Sequence, residues 1–307
     1  MKALVVGGAG MIGAKAALRF RDKGYDVTVA GRTEPPTDSA IGDFPFLKLD
    51  YIADEDPRDC LRGFELLIFA AGNDIRHVPE GVDYYEHVTH ANAVAQPRFF
   101  QAAKSAGVSI AINIGSYYPH VAKHLLESNP YMRSRLAAHE GISALKSQDF
   151  RVVSVDAPFV LGSVPGLRSS YDVYVQYSQG KLGGIPVFAP PGGVNFVSTD
   201  TVVDAVEATI TKGENGRAFL IGDQNATFQQ FLGAFFEAVG KPVPPIVDQE
   251  HPLLPDSLIT WGRGNNLFYD TDPQETAMLA YRRNDAFRAI REDIVPHYLE
   301  RERAAGR

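Results

Sequence analysis

The sequence predicts an α/β fold with a parallel, doubly wound sheet, and three observations lead to that prediction. The first is an opening strand, glycine turn, helix and strand over residues 3–32. The second is an alternation of strand-like and helical stretches up to residue 156, which is typical of parallel strands joined by right-handed crossovers. The third is that this alternation breaks after Asp156, where a segment rich in Pro, Gly, Ser and Tyr begins. We therefore expect a Rossmann-type sheet with a smaller C-terminal substrate-binding portion.

The opening unit has the order that a nucleotide-binding site requires. An apolar run leads into a glycine turn, and a helical pattern follows the turn as far as Gly24. Glycines allow both the backbone conformation of a tight turn and the close approach of a pyrophosphate. The helix N-terminus offers free N–H groups and the positive end of its dipole to the phosphates. The residues predicted to bind a dinucleotide here are Gly7, Gly10, Met11, Ile12 and Gly13.

The end of the second strand indicates which dinucleotide to expect. A carboxylate at this position would hydrogen-bond the adenosine ribose hydroxyls of NAD. The strand, residues 25–30, is instead followed by Gly31, which leaves room, and by Arg32, which can pair with a 2′-phosphate. The acidic Asp26 lies at the opposite end of the strand. We predict NADP(H) in preference to NAD(H), with Arg32 as the selecting residue.

Further strands and helices recur in a regular order. Asn129 before Pro130 is a helix start signal, and Pro97 should kink or interrupt the helix that contains it. Strands are predicted at 46–49, 66–70, 109–114, 151–155 and 217–221, and helices at 57–62, 84–106, 130–147, 201–211, 227–239 and 285–303. On this basis residues 1–160 form the NADP-binding domain and 194–224 return to it, while 161–193 and 225–307 form the substrate-binding portion.

Composition limits the classes of partner. The formal net charge of −7 does not favour a nucleic-acid-binding surface, and no apolar run approaches the length of a membrane span. The single cysteine, Cys60, fits a reducing compartment, and the chain begins directly with a strand rather than a signal peptide. We expect a cytoplasmic protein with a small-molecule substrate and neither a nucleic-acid nor a membrane partner. The histidine pairs 87/90 and 120/124 lack the ligand pattern of a known metal site, so no metal is predicted.

A tyrosine, an arginine and a serine form the candidate catalytic group. Tyr131 and Arg135 are spaced i,i+4 and share one face of the predicted helix. A phenol serves as a base near neutral pH only if a cation lies close to it. Ser116 ends the preceding strand, at the carboxyl edge where parallel sheets bind ligands. Ser116 can therefore hydrogen-bond a substrate oxygen held against Tyr131.

These motifs together resemble an extended, or closely related atypical, short-chain dehydrogenase/reductase. That family comprises the NAD(P)-dependent epimerases, dehydratases and dihydroflavonol-reductase-like enzymes. The resemblance covers roughly residues 1–222, and it depends on the order and spacing of several motifs rather than on one of them. The motifs are GGAGMIG at the glycine turn, LKLD at 47–50, FAAG at 69–72, HANAV at 90–94, INIGS at 112–116, NPYMRSRLAAHEGI at 129–142 and GGVNFVSTDTV at 192–202.

The resemblance implies roles for individual residues. Ser116 matches the serine that polarises the substrate oxygen, and Tyr131 matches the acid/base. Asp50, beside Tyr51, matches the residue that contacts adenine. The resemblance further places Ala71 and Gly72 along the cofactor phosphates and ribose, makes Asn92 the asparagine that supports an active-site water, and implies a homodimer through the helices at 84–106 and 130–147.

Arg135 departs from the family pattern, which has lysine at this position. The family lysine binds the nicotinamide ribose and lowers the pKa of the tyrosine. Arginine keeps the charge, but it is planar and bulkier, so the exchange is not conservative. Two interpretations stay open: Arg135 performs the lysine's role, or catalysis has been redirected or lost while cofactor binding persists.

The segment after Asp156 favours an apolar substrate. Only Arg168 and Lys181 are cationic between 157 and 198, whereas a nucleotide-sugar diphosphate usually requires several cations. Tyrosines spaced by three at 171, 174 and 177 suggest an aromatic helical face. Tyr117, His120 and Tyr171 are the candidate substrate contacts. The leading hypothesis is an NADP(H)-dependent carbonyl reductase or alcohol dehydrogenase that acts on an apolar ketone or secondary alcohol. The alternatives are a sugar or nucleotide-sugar epimerase/dehydratase with a retained cofactor, and a non-catalytic NADP-binding sensor or scaffold.

Overall fold

The computed structural model describes residues 1–74 and 78–306, which form two β-sheets flanked by helices. The larger sheet has seven strands in the order β3-β2-β1-β4-β5-β6-β9, and every pairing within it is parallel. This order reverses direction between β1 and β4, which is the switch point of a doubly wound sheet and the place where such sheets bind ligands. Its strands are β1 (Lys2–Val6), β2 (Asp26–Gly31), β3 (Phe46–Lys48), β4 (Leu66–Phe69), β5 (Ile110–Ser116), β6 (Arg151–Ala157) and β9 (Ala218–Leu220).

The smaller sheet is built around one central strand. Strand β8 (Gly193–Ser198) pairs antiparallel with β10 (Gln224–Thr227) along one edge. Along the other edge it pairs in parallel with β11 (Asn266–Leu267) and then with β7 (Phe159–Leu161). The segment expected to return to the nucleotide-binding domain at residue 194 thus begins in the smaller sheet. The chain rejoins the larger sheet with the next helix and β9.

Helices cover both faces of the larger sheet and also pack against the smaller one. The α-helices are α1 (Met11–Asp22), α2 (Arg58–Leu61), α3 (Tyr84–Val88), α4 (Gln96–Ser105), α5 (Tyr118–Val121), α6 (Pro130–Ser143), α7 (Asp172–Gln179), α8 (Thr199–Lys212), α9 (Phe228–Ala238), α10 (Pro273–Leu279), α11 (Ala286–Arg288) and α12 (Val295–Ala304). Two π-helical segments, Thr89–Ala95 and Ala289–Ile294, and a short 3₁₀ helix at Lys123–Leu125 complete the helical content of the described residues.

Two helix signals in the sequence are confirmed. The Asn129 side chain accepts a hydrogen bond of 3.1 Å from the Met132 amide and so caps α6. The long helix predicted over 84–106 is interrupted, because the π-helical segment ends where α4 begins and Pro97 lies in the first turn of α4. Proline has no N–H to donate back into the preceding turn, which fits the change from π-helical to α-helical hydrogen bonding just before it.

Apolar side chains bury three clusters. Two of them cover the opposite faces of the larger sheet, and the third lies between the smaller sheet, α7 and α9. The third cluster also takes in Met132 and the half-buried Tyr131 of α6. The start of α6 therefore shares its apolar cluster with the smaller sheet. Within residues 1–74 and 78–306, no helix combines the length and apolarity needed to cross a bilayer.

Candidate functional site

The glycine turn after β1 is shaped by close backbone packing. Gly7 has φ +77°, and a Cβ there would lie 2.9 Å from the backbone of Ala70 and Ala71, which follow β4. A Cβ at Gly13 would lie 2.3 Å from the Gly7 carbonyl oxygen. These contacts bring the turn, the start of α1 and the end of β4 together in one place. A side chain at either glycine would force the three apart.

The start of α1 is left open for a ligand. Gly10 is the N-cap residue and provides no side-chain cap, and the first turn contains no acidic residue. The amides of Met11 and Ile12 have no carbonyl four residues earlier within the helix to accept them. This geometry suits the pyrophosphate of a dinucleotide, which the N–H groups and the helix dipole would bind. The residues present therefore fit the cofactor that the sequence predicts.

The residues predicted to contact adenosine lie past β2 and β3. A Cβ at Gly31 would have nothing within 4 Å, so the space beside the exposed Arg32 is open. Asp50 Oδ1 accepts a 3.0 Å hydrogen bond from the Ile52 amide, which fixes the turn after β3. Burial raises the pKa of Tyr51 to about 12, against the opposing effects of its hydrogen bond with Asn73 and of the nearby Arg135 and Arg32. Tyr51 thus stays a neutral hydroxyl within electrostatic range of both arginines.

Arg135 lies across the carboxyl ends of β4 and β5. Its Nη2 donates to the Ile114 carbonyl at 3.3 Å, and its Nη1 lies 2.8 Å from the position that a Cβ would take at Gly72. The residue is only 8% exposed. The guanidinium therefore occupies the space that Gly72 leaves, and the glycine and the arginine depend on each other. This places a buried cation where the sequence expects the nicotinamide ribose.

Ser116 and Tyr131 are carried by elements that pack together. Ser116 ends β5 and is 7% exposed, and its buried Oγ has no hydrogen-bond partner among the described residues. Tyr131 lies in the first turn of α6, which contacts β5, and it is half-buried at the boundary with the smaller sheet. A buried hydroxyl without a partner is costly unless a ligand completes it. Ser116 is thus available to a substrate oxygen.

The Asn92 amide ties the π-helical segment to α6 and to the loop after β4. Asn92 Nδ2 donates to Ser134 Oγ at 3.1 Å and to the Asn73 carbonyl at 3.2 Å. Its buried Oδ1 has no partner among the described residues, which fits the water-binding role that the resemblance implies. Ser134 Oγ in turn donates to the Tyr131 carbonyl at 2.8 Å, so the network reaches the turn that carries the tyrosine.

Two of the three candidate substrate residues lie in the core. Tyr117 is fully buried, with its hydroxyl donating to the Leu267 carbonyl at 3.0 Å. Tyr171 is buried against Phe231 and Phe235, and its hydroxyl donates to the Val160 carbonyl. Their aromatic rings thus pack in the core. Tyr117 or Tyr171 could contact a substrate only if its side chain left this position.

The other tyrosines of α7 have the same environment. The Tyr174 hydroxyl donates to the Leu253 carbonyl at 2.7 Å, and the Tyr177 hydroxyl donates to Pro186 and Phe188 carbonyls at 2.8 and 3.0 Å. The spacing by three did mark one helical face, but that face packs against α9. The aromatic surface from which an apolar substrate was expected is therefore part of the core.

His120 lies on α5, just after Ser116, with its Nε2 2.8 Å from Asp156 Oδ2. Sequence reasoning missed Asp156, because the pairing joins residues 36 positions apart through the β5–β6 register. It also missed Tyr84 on α3. The pKa of Tyr84 is raised, mainly by burial and further by the nearby Tyr131 and Asp74. Tyr84 therefore remains a neutral phenol beside Tyr131.

Three arginines of the C-terminal portion, at 263, 282 and 283, lie close to carboxylates. Arg282 Nε lies 2.7 Å from Asp204, and Arg283 Nε lies 3.3 Å from Asp223. Arg263 is held more loosely, with its Nε 3.4 Å from Asp248 and 3.7 Å from Asp256. Among the described residues no group of three or more His, Cys, Asp or Glu side chains has an arrangement suited to a metal ion.

Known structures with bound nucleotide sugars have a similar fold. The chain is 17% identical to a UDP-glucose-4-epimerase from Stenotrophomonas maltophila with bound NAD and formylated UDP-arabinopyranose, with a TM-score of 0.76 and 99% of each chain covered. It is 18% identical to a Bacillus cereus UDP-glucuronic acid 4-epimerase in complex with UDP-glucuronic acid and NAD, with a TM-score of 0.72 and 98% of this chain and 99% of the other covered. At such identities the likeness establishes the fold alone.

Sequence comparison gives the family. No curated protein matches the chain significantly. The family model described as the NAD dependent epimerase/dehydratase family matches residues 3–222, which include the glycine turn, Ser116, Tyr131 and Arg135. The resemblance stated from the motifs is confirmed over the same range. The chain belongs to the NAD dependent epimerase/dehydratase family.

Proposed function

We propose that this chain is an NAD(P)-dependent epimerase or dehydratase that acts on a sugar or nucleotide sugar. The observation that carries the proposal is the buried, unpartnered Ser116 Oγ at the end of β5, next to the helix that carries Tyr131 and Arg135. Family membership supports the cofactor class. The proposal therefore takes the epimerase/dehydratase alternative in place of the ketone reductase that the sequence favours.

The chain's own residues supply binding, orientation and proton transfer. A bound nicotinamide dinucleotide would supply hydride acceptance and donation at the reacting carbon. Ser116 Oγ–H donates to the substrate oxygen and holds it in position. Tyr131 takes the hydroxyl proton when the carbon loses hydride, and it returns the proton when hydride comes back. Arg135, one turn after Tyr131 on α6, is our candidate for the role of the family lysine at the nicotinamide ribose.

The packing of α7 removes the main reason to expect an apolar substrate. The tyrosines on which the apolar expectation depended are buried, and their hydroxyls are bound to backbone carbonyls. The structural neighbours described above hold UDP-linked sugars, which supports the sugar class.

Arg263 is our candidate for the substrate's phosphates. It lies two residues after Trp261, whose indole stacks on Tyr118 at 5.6 Å, and Tyr118 lies two residues after Ser116. Its two carboxylate contacts are long, and its partner Asp248 is 82% exposed. A diphosphate could therefore replace them at little cost.

A substrate panel tests the proposal. Purified protein is incubated with oxidised dinucleotide and a series of UDP-hexoses and UDP-hexuronates, while absorbance of the reduced cofactor and NMR spectra of the sugar are recorded together. We expect a new sugar product without net accumulation of reduced dinucleotide, since hydride returns to the same molecule. Stoichiometric cofactor reduction would contradict the proposal.

A dehydrogenase or reductase is the second candidate, favoured by one observation. In residues 157–198 the cations are Arg168 and Lys181, and Lys181 is paired with Glu302, so this segment offers a diphosphate little charge. Turnover of uncharged carbonyl compounds with net consumption of NAD(P)H in the same assay would establish this candidate. Tight dinucleotide binding without turnover in either arm would indicate the sensor or scaffold.

For the cofactor we propose NADP(H) over NAD(H), supported by the open space at Gly31 and the exposed Arg32. Arg32→Ala removes the pairing with a 2′-phosphate, so we expect NADPH affinity to fall about tenfold or more while NADH affinity stays unchanged. Fluorescence titrations of both dinucleotides measure this. Arg62→Ala, an exposed arginine after α2, is the control. Equal losses for NADPH and NADH would count against the preference.

A further inference from the structure

A buried carboxylate and two histidines meet beside the site. Asp156, near the end of β6, is 1% exposed, and His120 Nε2 on α5 lies 2.8 Å from its Oδ2. This is the distance of an ion pair, although the atoms are not aligned as a hydrogen bond. The rings of His120 and His139 meet edge to face at 5.5 Å. We call Asp156, His120 and His139 the Asp156 cluster.

A chain of hydrogen bonds holds one oxygen of the Asp156 carboxylate in place. Ser154 Oγ donates to Asp156 Oδ1 at 2.5 Å, Asn113 Nδ2 donates to Ser154 Oγ at 3.0 Å, and Gln96 Nε2 donates to Asn113 Oδ1 at 2.6 Å. These bonds form one chain that ends on the carboxylate, and Ser154 is its member that donates to Asp156 directly. A Cβ at Gly115 would lie 1.9 Å from Asp156 Oδ1, so glycine makes room for it.

The cluster joins the elements that carry the candidate catalytic residues. His120 lies four residues after Ser116, in the helix that directly follows β5. His139 lies on α6, one turn beyond Arg135 and two turns beyond Tyr131. Attraction between these side chains draws β6, α5 and α6 together. It therefore acts on α6, the helix that positions Tyr131 and Arg135.

The charges of the cluster are unequal in number, with one carboxylate for two imidazoles. Burial lowers the pKa of His139, and the neighbouring His120 lowers it further. The carboxylates of Asp156 and of Glu140 on α6 act in the opposite direction. From α4 and β5 the neighbouring side chains are the uncharged Gln96 and Asn113. One proton on the imidazoles balances Asp156. With none, the buried carboxylate lacks a counter-ion, and with two, the neighbouring rings repel each other.

We propose that the Asp156 cluster is a proton-dependent clasp that holds α5 and α6 against β6, and so positions Tyr131 and Arg135. Its members are positioning residues, and they act through α6 rather than on the substrate. The clasp is tightest when the two histidines share one proton. Dinucleotide binding should therefore depend on pH through these residues, whichever substrate the enzyme takes.

Histidine titration by NMR tests the clasp without any ligand. Because the proton of His139 is favoured by Asp156 and opposed by His120, His120→Gln should raise the pKa of His139 and Asp156→Asn should lower it, each by about one unit. His124→Gln is the matched control, because His124 is exposed on the adjoining 3₁₀ helix. If neither cluster variant moves the His139 titration, the proposal is wrong.

The pH dependence of dinucleotide affinity is a second measurement. A purely structural role of the cluster would leave this pH dependence unchanged. For each variant, the Kd for the tighter-binding dinucleotide is compared with wild type from about pH 5.5 to pH 8. The ratio of the two Kd values cancels the titration of the dinucleotide itself. We expect this ratio to vary about threefold to tenfold with pH for His120→Gln and Asp156→Asn, and to stay constant for His124→Gln. If Asp156→Asn fails to fold, the His139 titration and the Kd ratio are both measured on His120→Gln. A pH-independent ratio would overturn the proposal.

Discussion

At the scale of single residues, Arg135 and Gly72 form the most specific pair in the site. Arg135 departs from the family lysine, and its Nη1 lies 2.8 Å from where a Cβ at position 72 would lie. A bulkier cation thus fits because the facing residue has no side chain. The motif predicted each residue separately, whereas their mutual dependence became visible only from the packing of α6 on the ends of β4 and β5.

This pairing predicts a rescue. Gly72→Ala should displace the guanidinium and weaken dinucleotide binding about tenfold, because the buried Arg135 has little room to move aside. Arg135→Lys, with a slimmer head group, should retain binding and should restore most of the loss when combined with Gly72→Ala. A double-mutant cycle of dinucleotide Kd values measures the coupling. Additive losses in the double variant would contradict the pairing.

At the scale of elements, the sequence predicted where helices lie better than what they face. The tyrosines of α7 are spaced as one face, and that face is real. An aromatic face looks the same in the sequence whether it lines a cleft or packs against another helix, and here it packs against α9. Helix α6 was easier to predict, because its cap and its proline are local signals that act within one turn.

The packing of α7 predicts a pH-dependent stability. His251 is fully buried with its Nε2 3.2 Å from the Tyr177 hydroxyl, and burial lowers its pKa to about 4. The unfolded chain takes up this proton near pH 6.5 and the folded chain near pH 4, so stability falls as pH drops between the two. We expect a loss on the order of 1–2 kcal/mol from His251 between pH 7 and about pH 5.

Urea unfolding at the two pH values measures this loss. In His251→Gln the pH-dependent part of the free energy of unfolding should shrink by about that amount, although the variant is less stable overall because the packing around Tyr177 is altered. His124→Gln, an exposed histidine, should keep the wild-type pH dependence. Equal pH dependence in His251→Gln and wild type would show that His251 does not titrate as described.

At the scale of the whole molecule, the chain forms two sheets that differ in how far the sequence predicts them. The parallel order of the larger sheet was predictable, because alternating strands and helices leave few topologies. The smaller sheet was not, since its strands are short and are drawn from residues 159–161, 193–198, 224–227 and 266–267. The Asp156 cluster could not be predicted either, because its members lie on α5, β6 and α6 and meet only through the register of the larger sheet. Local patterns carry no information about such contacts.

The central claim is that Tyr131, at the start of α6, is the acid/base of an NAD(P)-dependent reaction. The most direct measurement compares Tyr131→Phe with wild type for turnover of the best substrate in the panel and for dinucleotide Kd. We predict that turnover falls more than about a hundredfold while the Kd stays close to wild type, because the ring remains and only the proton carrier is lost. Tyr85→Phe, an exposed tyrosine on α3, should change neither quantity. Unchanged turnover in Tyr131→Phe would contradict the account.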